Sequence, residues 1–235
     1  MDLSKVKYEF NPNIFYSGYI LRKKLLRAIC RHSKYMNGKM MDFGCGAKPY
    51  KSLFNVNEYI GVDFQGQGHS HENEQIDVFY DGKTLPFPDN HFDSVFSTEV
   101  FEHVFNLEEI VVEIKRVMKS GGKILITCPF AIPEHEQPND YARYSSFGLK
   151  HLFAKNNFKV IEYEKIGNHF DALIQLKISF FSLVLFPKLN KLFFVKPLFE
   201  VIVYPFFNIY ALIFSGMFAK KQALYLNNVI VCEKL

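Results

Sequence analysis

Groups able to transfer protons are concentrated in one short segment, PFAIPEHEQPNDYARYS, at residues 129–145. Its histidine, His135, is flanked by Glu134 and Glu136. Histidine changes charge near neutral pH, so an imidazole held by a carboxylate can take a proton from a reacting group. The pattern predicts that His135 is a general base and that Glu134 or Glu136 orients it.

The same segment carries groups able to contact a substrate, Tyr141 and Arg143. Loops that follow strands are where active-site residues collect, so we expect both side chains to touch the substrate. A structural interpretation stays open beside this one. Asp140, Arg143 and the tyrosines would then form a buried polar clamp that holds the loop.

A second candidate base, His103, lies in the motif FEHV. The alternative is that this histidine only fixes the loop at the start of a helix. Two further histidines and a glutamate occur in HSHE, residues 69–72, a combination that can bind a metal ion. Such a polar loop is more often simply solvated, and the sequence predicts no metal site.

The hydrophobic pattern indicates the elements that must position these groups. Short apolar runs alternate with stretches of helical periodicity, which predicts an α/β fold with a parallel sheet and helices on both faces. The predicted strands are KMMDF, EYIGVDF, QIDVFY, FDSVFS, GGKILITCPF, FKVIEYEKI and ALYLNNVIVCEKL.

Two helices lie between these strands. One follows the fourth strand, and we expect it to begin with a capping box of Asn106 and Glu109 and to end at Gly121. The segment SSFGLKHLFAKNN predicts another, with Ser145 or Ser146 as its N-cap.

A further helix is predicted near the N-terminus, at residues 14–35, with leucines on one face and basic side chains on the other. The basic face is either a solvated surface or a patch that faces phosphate groups or a membrane. The sequence does not decide between these two interpretations.

Composition sets broad limits on function. The chain has 235 residues, 49% of them hydrophobic, which suits one α/β domain with an elaboration. A net charge of +4 is too mild to indicate a nucleic-acid partner by itself, and we expect none. The four cysteines include no C-x-x-C pair and the first ten residues contain no apolar run, so we expect a cytoplasmic protein.

A glycine turn ends the first strand, in KMMDFGCGAKPY. Gly44 and Gly46 let the backbone approach a ligand closely, and the following amides can bind an anionic group. A dinucleotide site would have a third glycine where Pro49 stands, which disfavours an NAD-dependent oxidoreductase. Asp63 ends the second strand, where an acid can bind a ribose diol, and Asp81 follows the third.

These motifs together resemble those of class I S-adenosylmethionine-dependent methyltransferases, in particular the small-molecule and glycan branch. The resemblance rests on MMDFGCGAKPY, YIGVDF, YDGKTLPFPDNHFDSVFSTEVFEHV and EIKRVMKSGGKILITCPF, and it covers about residues 36–165 and the last strand. It implies a Rossmann-like sheet of seven strands, mostly parallel, with strand seven antiparallel and placed between strands five and six.

The resemblance also implies a cofactor, S-adenosyl-L-methionine, with S-adenosyl-L-homocysteine as product. The turn after strand one would surround the methionine part, Asp63 would bind the ribose, and Asp81 would read the adenine amine. Glu99 would lie near the sulfonium. The full set of implied cofactor residues is Asp42, Gly44, Cys45, Gly46, Asp63, Phe64, Asp81, Gly82, Ser97 and Thr98.

The resemblance and the hydrophobic pattern divide the chain into three parts. Residues 1–36 form an N-terminal helical segment, residues 37–170 and 222–235 form the cofactor-binding domain, and residues 171–221 form an apolar insertion rich in phenylalanine. A single membrane span there would leave the last strand on the wrong side of the membrane. The insertion is therefore either a cap over the acceptor pocket or a hairpin at the inner face of a membrane, in peripheral contact with it.

The resulting functional hypothesis is methyl transfer to a hydroxyl of a glycan or lipid-linked saccharide, with His135 as base. A small metabolite or a quinone- or lipid-type acceptor is an alternative. A domain that binds the cofactor without catalysis is another, although the polar segment at 129–145 argues against it. The sequence does not indicate an oligomeric state.

Overall fold

The computed structural model describes residues 3–66, 74–189, 195–218 and 222–235. The HSHE motif at 69–72 lies outside the described residues. What the sequence suggested for this motif is therefore not tested.

The domain is built on a seven-stranded sheet with strand order β3-β2-β1-β4-β5-β7-β6. Strands β1 to β6 run parallel, and β7 pairs antiparallel with both β5 and β6. This confirms the predicted fold and the placement of the last strand. The strands are β1 Lys39–Phe43, β2 Glu58–Phe64, β3 Val78–Tyr80, β4 Phe92–Thr98, β5 Met118–Pro129, β6 Phe158–Ile166 and β7 Asn227–Lys234.

Helices cover both faces of the sheet. On one face, α2 (Leu107–Val117) and α3 (Ser146–Lys155) pack into one hydrophobic cluster with the sheet. On the opposite face, α1 (Tyr19–His32) packs into a second cluster. Alternate residues of a strand point to opposite faces, so Ile124 and Ile126 of β5 join the first cluster and Leu125 joins the second.

Helix boundaries differ from the expected ones in three places. The first helix is shorter than 14–35, since α1 covers Tyr19–His32. Helix α2 ends at Val117, because Gly121 already lies inside β5 with a φ of 73°. The capping box is not formed: the Asn106 amide donates to the Glu109 carboxylate instead of capping the backbone.

The cap of α3 is the predicted one. The hydroxyl of Ser145 accepts a hydrogen bond from the backbone N–H of Gly148, at 3.2 Å. This bond satisfies one of the amides that a helix start leaves without a partner. It also fixes the point where the polar segment at 129–145 ends and the helix begins.

The apolar insertion forms a helical hairpin. Its first arm is α4 (His169–Phe180), continued by a π-helical turn, Phe181–Leu185, and a 3₁₀ turn, Phe186–Leu189. Its second arm is α5 (Val195–Phe214), followed by a 3₁₀ turn at Ser215–Phe218. A capping box of Asn168 and Asp171 starts α4 directly after β6.

Candidate active site

A cavity of about 390 Å³ lies where β1, β2, β3 and β4 end. The parallel strands bring their carboxyl ends to one edge of the sheet, which is where ligands bind in open α/β sheets. The cavity is lined by Phe43, Gly44, Gly46, Asp63, Phe64, Gly66, Tyr80, Gly82, Thr98, Glu99, Val100, His103, Val104, Phe105, Asn106, Glu136, Asn139 and Tyr141.

The glycine turn after β1 forms one wall. Gly44 has a φ of 73°, a region that side chains rarely adopt. A Cβ added at Gly44 would lie 2.3 Å from Cγ2 of Val100, so the turn is in contact with the segment that follows β4. Glycine is therefore required at this position both by backbone conformation and by space.

Asp63 lies at the end of β2 and lines the cavity. Its carboxylate accepts the N–H of Gly46 at 2.9 Å and the N–H of Phe64 at 2.8 Å. These bonds tie the ends of β1 and β2 together and fix the orientation of the carboxylate. An ionised carboxylate has about four acceptor sites, so it can also bind the hydroxyls of a ribose.

An aromatic surface adjoins Asp63. The ring of Phe64 is 48% exposed and lies 5.9 Å from that of Tyr80, between centroids. A Cβ on Gly66 or Gly82 would come within 2.7 Å of the Phe64 ring, so the two glycines leave this ring room. A flat apolar surface beside a diol-binding acid fits the base and the ribose of a nucleoside.

Four of the predicted cofactor residues do not line this cavity. The side chain of Asp42 is buried and accepts a hydrogen bond from the Tyr59 hydroxyl, and that of Cys45 is buried beneath the turn. Ser97 is fully buried. The Asp81 carboxylate accepts the N–H groups of Lys83 and Thr84, which makes it a turn residue.

Burial changes the acidity of two of these groups. It raises the pKa of Asp42 to about 7, and the Tyr59 hydrogen bond only partly opposes this. It also raises the pKa of the Cys45 thiol. The thiol is therefore protonated at neutral pH and contributes packing, not nucleophilic chemistry.

Glu99, just past β4, lines the inner wall. It has a φ of 54°, and its carboxylate accepts hydrogen bonds from Thr127 at 2.7 Å and from Asn227 at 2.7 and 2.9 Å. A strained backbone held by side chains from β5 and β7 is typical of a functional position. Thr98 also lines the cavity, and its hydroxyl lies 2.8 Å from that of Thr127.

Of the two predicted bases, His103 lines the cavity and His135 does not. The Nδ1 atom of His103 lies 2.7 Å from the carbonyl oxygen of Asn139. A carbonyl only accepts, so Nδ1 carries a proton, and in the neutral imidazole Nε2 is the nitrogen with the free lone pair. Nε2 lies 3.7 Å from carboxyl oxygens of Glu102 and Glu136.

His135 is oriented by a carboxylate, but not by the predicted one. Its Nδ1 lies 3.3 Å from Oδ2 of Asp140, and its backbone N–H donates to the same oxygen. Glu134 is exposed and makes no ion pair with His135 in the part of the chain that the structure describes. Glu136 turns to His103 instead, with its Oε2 3.7 Å from Nε2.

A buried carboxylate joins the two histidines. Glu102 is fully buried, and its Oε1 lies 3.7 Å from Nε2 of His103 and 3.8 Å from Nε2 of His135. Neither of its oxygens has a hydrogen-bond partner among the described residues. Burial, reinforced by the nearby Glu99, raises its pKa well above the usual range for glutamate.

The cluster of Glu102, His103 and His135 is suited to one of two functions, metal binding or proton transfer. The ligand atoms of Glu102, His103 and His135 lie within 4.8 Å of one another, and two imidazoles with a carboxylate form a set that a divalent cation can take. Without a cation the same groups form a chain that can share protons. The sequence predicted no metal site, and only the fold brings His135 beside the Glu102–His103 pair.

The predicted clamp is formed by Arg143 and Asp140. The guanidinium donates two hydrogen bonds of 2.5 Å to the Asp140 carboxylate and a further one of 3.1 Å to the carbonyl of Pro133. The arginine lowers the pKa of Asp140 to about 2. Arg143 is thus engaged inside the loop and does not line the cavity, contrary to the expectation of substrate contact.

Tyr141 lies at the mouth of the cavity, as a substrate-contacting residue should. It is 48% exposed, and its ring contacts that of Phe105 edge to face at 5.4 Å. Its backbone N–H donates to the carbonyl of Glu102 at 2.8 Å, which holds the loop against the turn after β4.

Several lining residues were not predicted as site residues. They are Phe43, Gly66, Tyr80, Val100, Val104, Phe105, Asn106 and Asn139, with Glu136 assigned a different role. Most follow β4 or lie in the polar loop, close to residues that the motifs did identify. Phe105 is 84% exposed, which only the folded structure shows.

Comparison with known proteins agrees with this geometry. A family model described as a methyltransferase domain matches residues 41–126. A sterol 24-C-methyltransferase of Gibberella zeae is 29% identical over 49% of this chain and 36% of its own length. An uncharacterised protein of Methanocaldococcus jannaschii is 34% identical over 46% of this chain and 51% of its own. The chain thus spans about a third to a half of the curated relatives it matches.

The fold has counterparts among solved structures. Phosphoethanolamine N-methyltransferase 2 of Haemonchus contortus, solved with S-adenosyl-L-methionine, superposes with a TM-score of 0.53 at 16% identity, over 99% of this chain and 60% of its own. The glycine turn, the acid after β2 and the aromatic surface fit that cofactor. Residues 41–126 therefore match a methyltransferase domain, and the sheet around them has the fold of a solved S-adenosylmethionine-binding methyltransferase.

Proposed function

We propose that this protein transfers a methyl group from S-adenosyl-L-methionine to a hydroxyl of a lipid-linked acceptor, on its saccharide part. The observation that carries the proposal is the cavity itself. It combines a glycine turn and an acid able to bind a diol with a histidine whose Nδ1 is held by the carbonyl oxygen of Asn139.

The donor supplies a methyl group on a positively charged sulfur, already activated for transfer. The protein must therefore mainly hold the reactants in line, which can contribute on the order of 7–11 kcal/mol. Asp63 and the Gly44–Gly46 turn hold the donor side. Glu99 and Thr98, fixed by β5 and β7, form the wall behind it.

A hydroxyl acceptor needs a base, because an alcohol that keeps its proton is a poor nucleophile. In this proposal Nε2 of His103 takes that proton as the new carbon–oxygen bond forms. The resulting imidazolium faces the carboxyl groups of Glu102 and Glu136, each 3.7 Å away. His135 contacts Glu102 on the side away from the cavity, so in this proposal it positions His103 through Glu102.

The mouth of the cavity favours a polar, ring-shaped acceptor. Phe105 and Tyr141 present exposed aromatic rings, and Asn106 and Asn139 present amide groups. Sugars combine hydroxyls with apolar C–H faces that stack on aromatic rings. The exposed apolar hairpin starts at the same edge of the sheet, directly after β6, which supports an acceptor carried on a lipid.

A second candidate acceptor is a carbon atom of a lipid, as the name of the similar sterol 24-C-methyltransferase indicates for that protein. A carbon acceptor activated by its own double bond has no hydroxyl proton to lose before attack. The two candidates therefore differ in how they depend on His103. Amide and carboxylate groups at the cavity mouth favour the hydroxyl acceptor.

Calorimetric titration with S-adenosyl-L-homocysteine tests the donor half, with NADH as control. We expect micromolar affinity for the first ligand only, and its loss in Asp63→Ala. Equal binding of NADH, or unchanged binding in Asp63→Ala, would contradict the donor assignment.

Transfer of a labelled methyl group tests the acceptor half. Membranes and lipid extracts are incubated with the protein and the labelled donor, and the lipid and aqueous phases are counted separately. We expect label in a lipid fraction that mild acid converts to a water-soluble sugar. Donor binding without any transfer would support the cofactor-binding protein without catalysis.

A further inference from the structure

A second cavity, of about 440 Å³, lies outside the methyl-donor site, between α1 and the base of the hairpin. Its basic lining consists of Lys23, Lys24, Arg27, Arg31 and Lys165, and its acidic lining of Glu164 and Asp171. The lining therefore carries a net charge of three positive units when all seven groups are ionised. The other wall is formed by the end of α5, including Leu212 and Ser215.

The acidic groups are already paired. Lys24 lies 2.7 Å from the buried Asp171, and Arg31 lies 2.5 Å from Glu164, which His32 also contacts. Arg27 is exposed and makes no ion pair within the described ranges. Lys23 has a neutral partner, the side-chain oxygen of Asn11. Lys165 also has a neutral partner, the carbonyl oxygen of Gln222, so the charges of three cationic groups, Lys23, Arg27 and Lys165, are not offset by an acidic group.

The spacing on α1 reinforces this conclusion. Lys23, Arg27 and Arg31 are four residues apart and so lie on one face of the helix. Like charges at this spacing destabilise a helix, unless an anion lies between them. The face therefore has the electrostatic character of an anion-binding surface.

The hairpin beside this cavity exposes an apolar surface. Among the described residues between 173 and 218, sixteen large apolar side chains are at least 38% exposed, including Leu173, Ile202, Phe206 and Ile213. By length and composition both arms would reach across a bilayer, yet only 28% of each is buried in the protein. A core helix of a soluble domain would be mostly covered.

Polar tethers determine how such a hairpin can meet a membrane. The buried Asn208, midway along α5, donates to the carbonyls of Ile14 and Tyr16 at 2.7 and 3.0 Å, and Gln175 of α4 donates to that of Ser17 at 3.0 Å. Both arms are thus fixed alongside the start of the basic helix α1. A spanning hairpin would draw those charges into hydrocarbon, so the hairpin lies in the interface.

We propose that the outer face of the hairpin inserts into one leaflet of an anionic membrane, and that the basic cavity binds the phosphate headgroup of an anionic phospholipid there. An apolar face and a basic site side by side give two membrane signals, which stable peripheral binding requires. This deepens the lipid-linked acceptor of the proposed function, since it places the donor site at the surface where that acceptor lies.

The test is cosedimentation of the full chain with vesicles of phosphatidylcholine alone or with 30% phosphatidylglycerol. We expect binding to the anionic vesicles and at least tenfold weaker binding to the neutral ones. Arg27→Glu reverses one exposed charge and should weaken anionic binding roughly 10–30-fold, at about a factor of five per unit of charge. Lys150→Glu makes the same change on the opposite face of the sheet and should have no effect.

Two further experiments separate the contribution of the apolar hairpin face from that of the basic cavity. Ile202→Gln with Ile213→Gln should weaken binding to both vesicle types, because these exposed side chains enter the leaflet. Millimolar inorganic phosphate should leave the bound fraction unchanged. Release by free phosphate would show that the cavity takes the ion and not a lipid, and would overturn the proposal.

The proposal is also overturned if the wild-type chain stays in the supernatant with both vesicles, or if Arg27→Glu and Lys150→Glu behave alike. S-adenosyl-L-homocysteine binding is measured on the same samples. If the wild-type chain binds S-adenosyl-L-homocysteine but no vesicles, the membrane site alone is rejected. If it binds anionic vesicles but not S-adenosyl-L-homocysteine, the methyltransferase assignment is rejected and the membrane site is kept.

Discussion

The donor and acceptor sides of this site are built in different ways. The donor side consists of backbone turns and short side chains at the ends of neighbouring strands, such as Gly44 and Asp63. The acceptor side is assembled from segments distant in sequence, with Glu102, His103 and His135 brought together by a loop that Asp140 and Arg143 hold. Strand order fixes the first kind of site, whereas side-chain contacts fix the second.

This difference suggests that the donor side tolerates little change in shape and the acceptor side little change in charge. A backbone turn fails when an atom is added to it. A cluster of titratable groups fails when one member loses its proton or its partner. The following changes test this distinction, starting with the largest expected effect.

Gly44→Ala should abolish donor binding. The new Cβ would lie 2.3 Å from Val100 and would require a φ of 73°, so the turn must move. We expect no saturable binding of S-adenosyl-L-homocysteine up to millimolar concentration in calorimetry. Gly121→Ala is the matched control: it has the same φ and no atom within 4 Å, so it bears the same strain without the clash. Equal loss of binding in both variants would contradict the assigned role of the turn.

His103→Ala should lower kcat about 100- to 1,000-fold while S-adenosyl-L-homocysteine binding stays unchanged, as expected for the loss of a general base. His135→Ala should cost about tenfold, because this residue acts through Glu102. His151→Ala, on the exposed surface of α3, is the control. A larger loss for His135→Ala than for His103→Ala would restore the base assignment that the sequence alone suggested.

The two sides should also differ in their response to pH. Burial raises the pKa of Asp42 to about 7, so its favourable contribution to folding is present below pH 4 and is lost as pH rises to 7. Arg143 lowers the pKa of Asp140 to about 2, so that contribution is present above pH 4 and is lost as pH falls to 2.

Each shift corresponds to about 2–4 kcal/mol of unfolding free energy. Denaturant unfolding of Asp42→Asn and Asp140→Asn against pH measures both. Relative to wild type, Asp42→Asn should gain stability as pH rises from 4 to 7, and Asp140→Asn as pH falls from 4 to 2. Parallel pH profiles for the two variants would contradict the contrast.

The smallest effects on turnover are expected from changes that leave proton transfer by Glu102, His103 and His135 intact. Glu134→Gln should change kcat less than twofold, because Glu134 is exposed and does not orient His135. Chelator treatment should also leave turnover unchanged, since His103 acts through a free Nε2. If a chelator abolished activity and Zn²⁺ restored it, the cluster of Glu102, His103 and His135 would be a metal centre instead of a proton relay.

Much of the donor side could be predicted from local sequence. Apolar runs fixed the strands, and glycines and acids at strand ends lie where parallel topology puts them. Three of the residues implied by the resemblance have buried side chains that do not line the cavity. Asp42, Cys45 and Ser97 belong to the right segments, but the sheet is covered on both faces, so their side chains lie in the core. Asp81 was misread because a turn acid and a ligand acid look alike in sequence.

The acceptor side could be predicted only in part. The loop at 129–145 was identified by its composition, but sequence does not say which of several carboxylates faces a histidine. Asp140 orients His135, five positions away, because Arg143 fixes it there. Glu102 was not considered, since nothing in FEHV shows that its carboxylate is fully buried between two imidazoles from different segments.

The sequence by itself therefore determined the strands of the sheet and the glycine turn, because those depend on periodicity and on residues that are neighbours in the chain, and its resemblance to a family indicated the cofactor. The tertiary structure decided which histidine meets the cavity, which residues are buried, and how the hairpin lies. These depend on contacts between segments up to 194 positions apart, such as that of Asn208 with Ile14. The burial of a side chain and its distance from other charged groups set its pKa. Both are defined only once these segments have packed together.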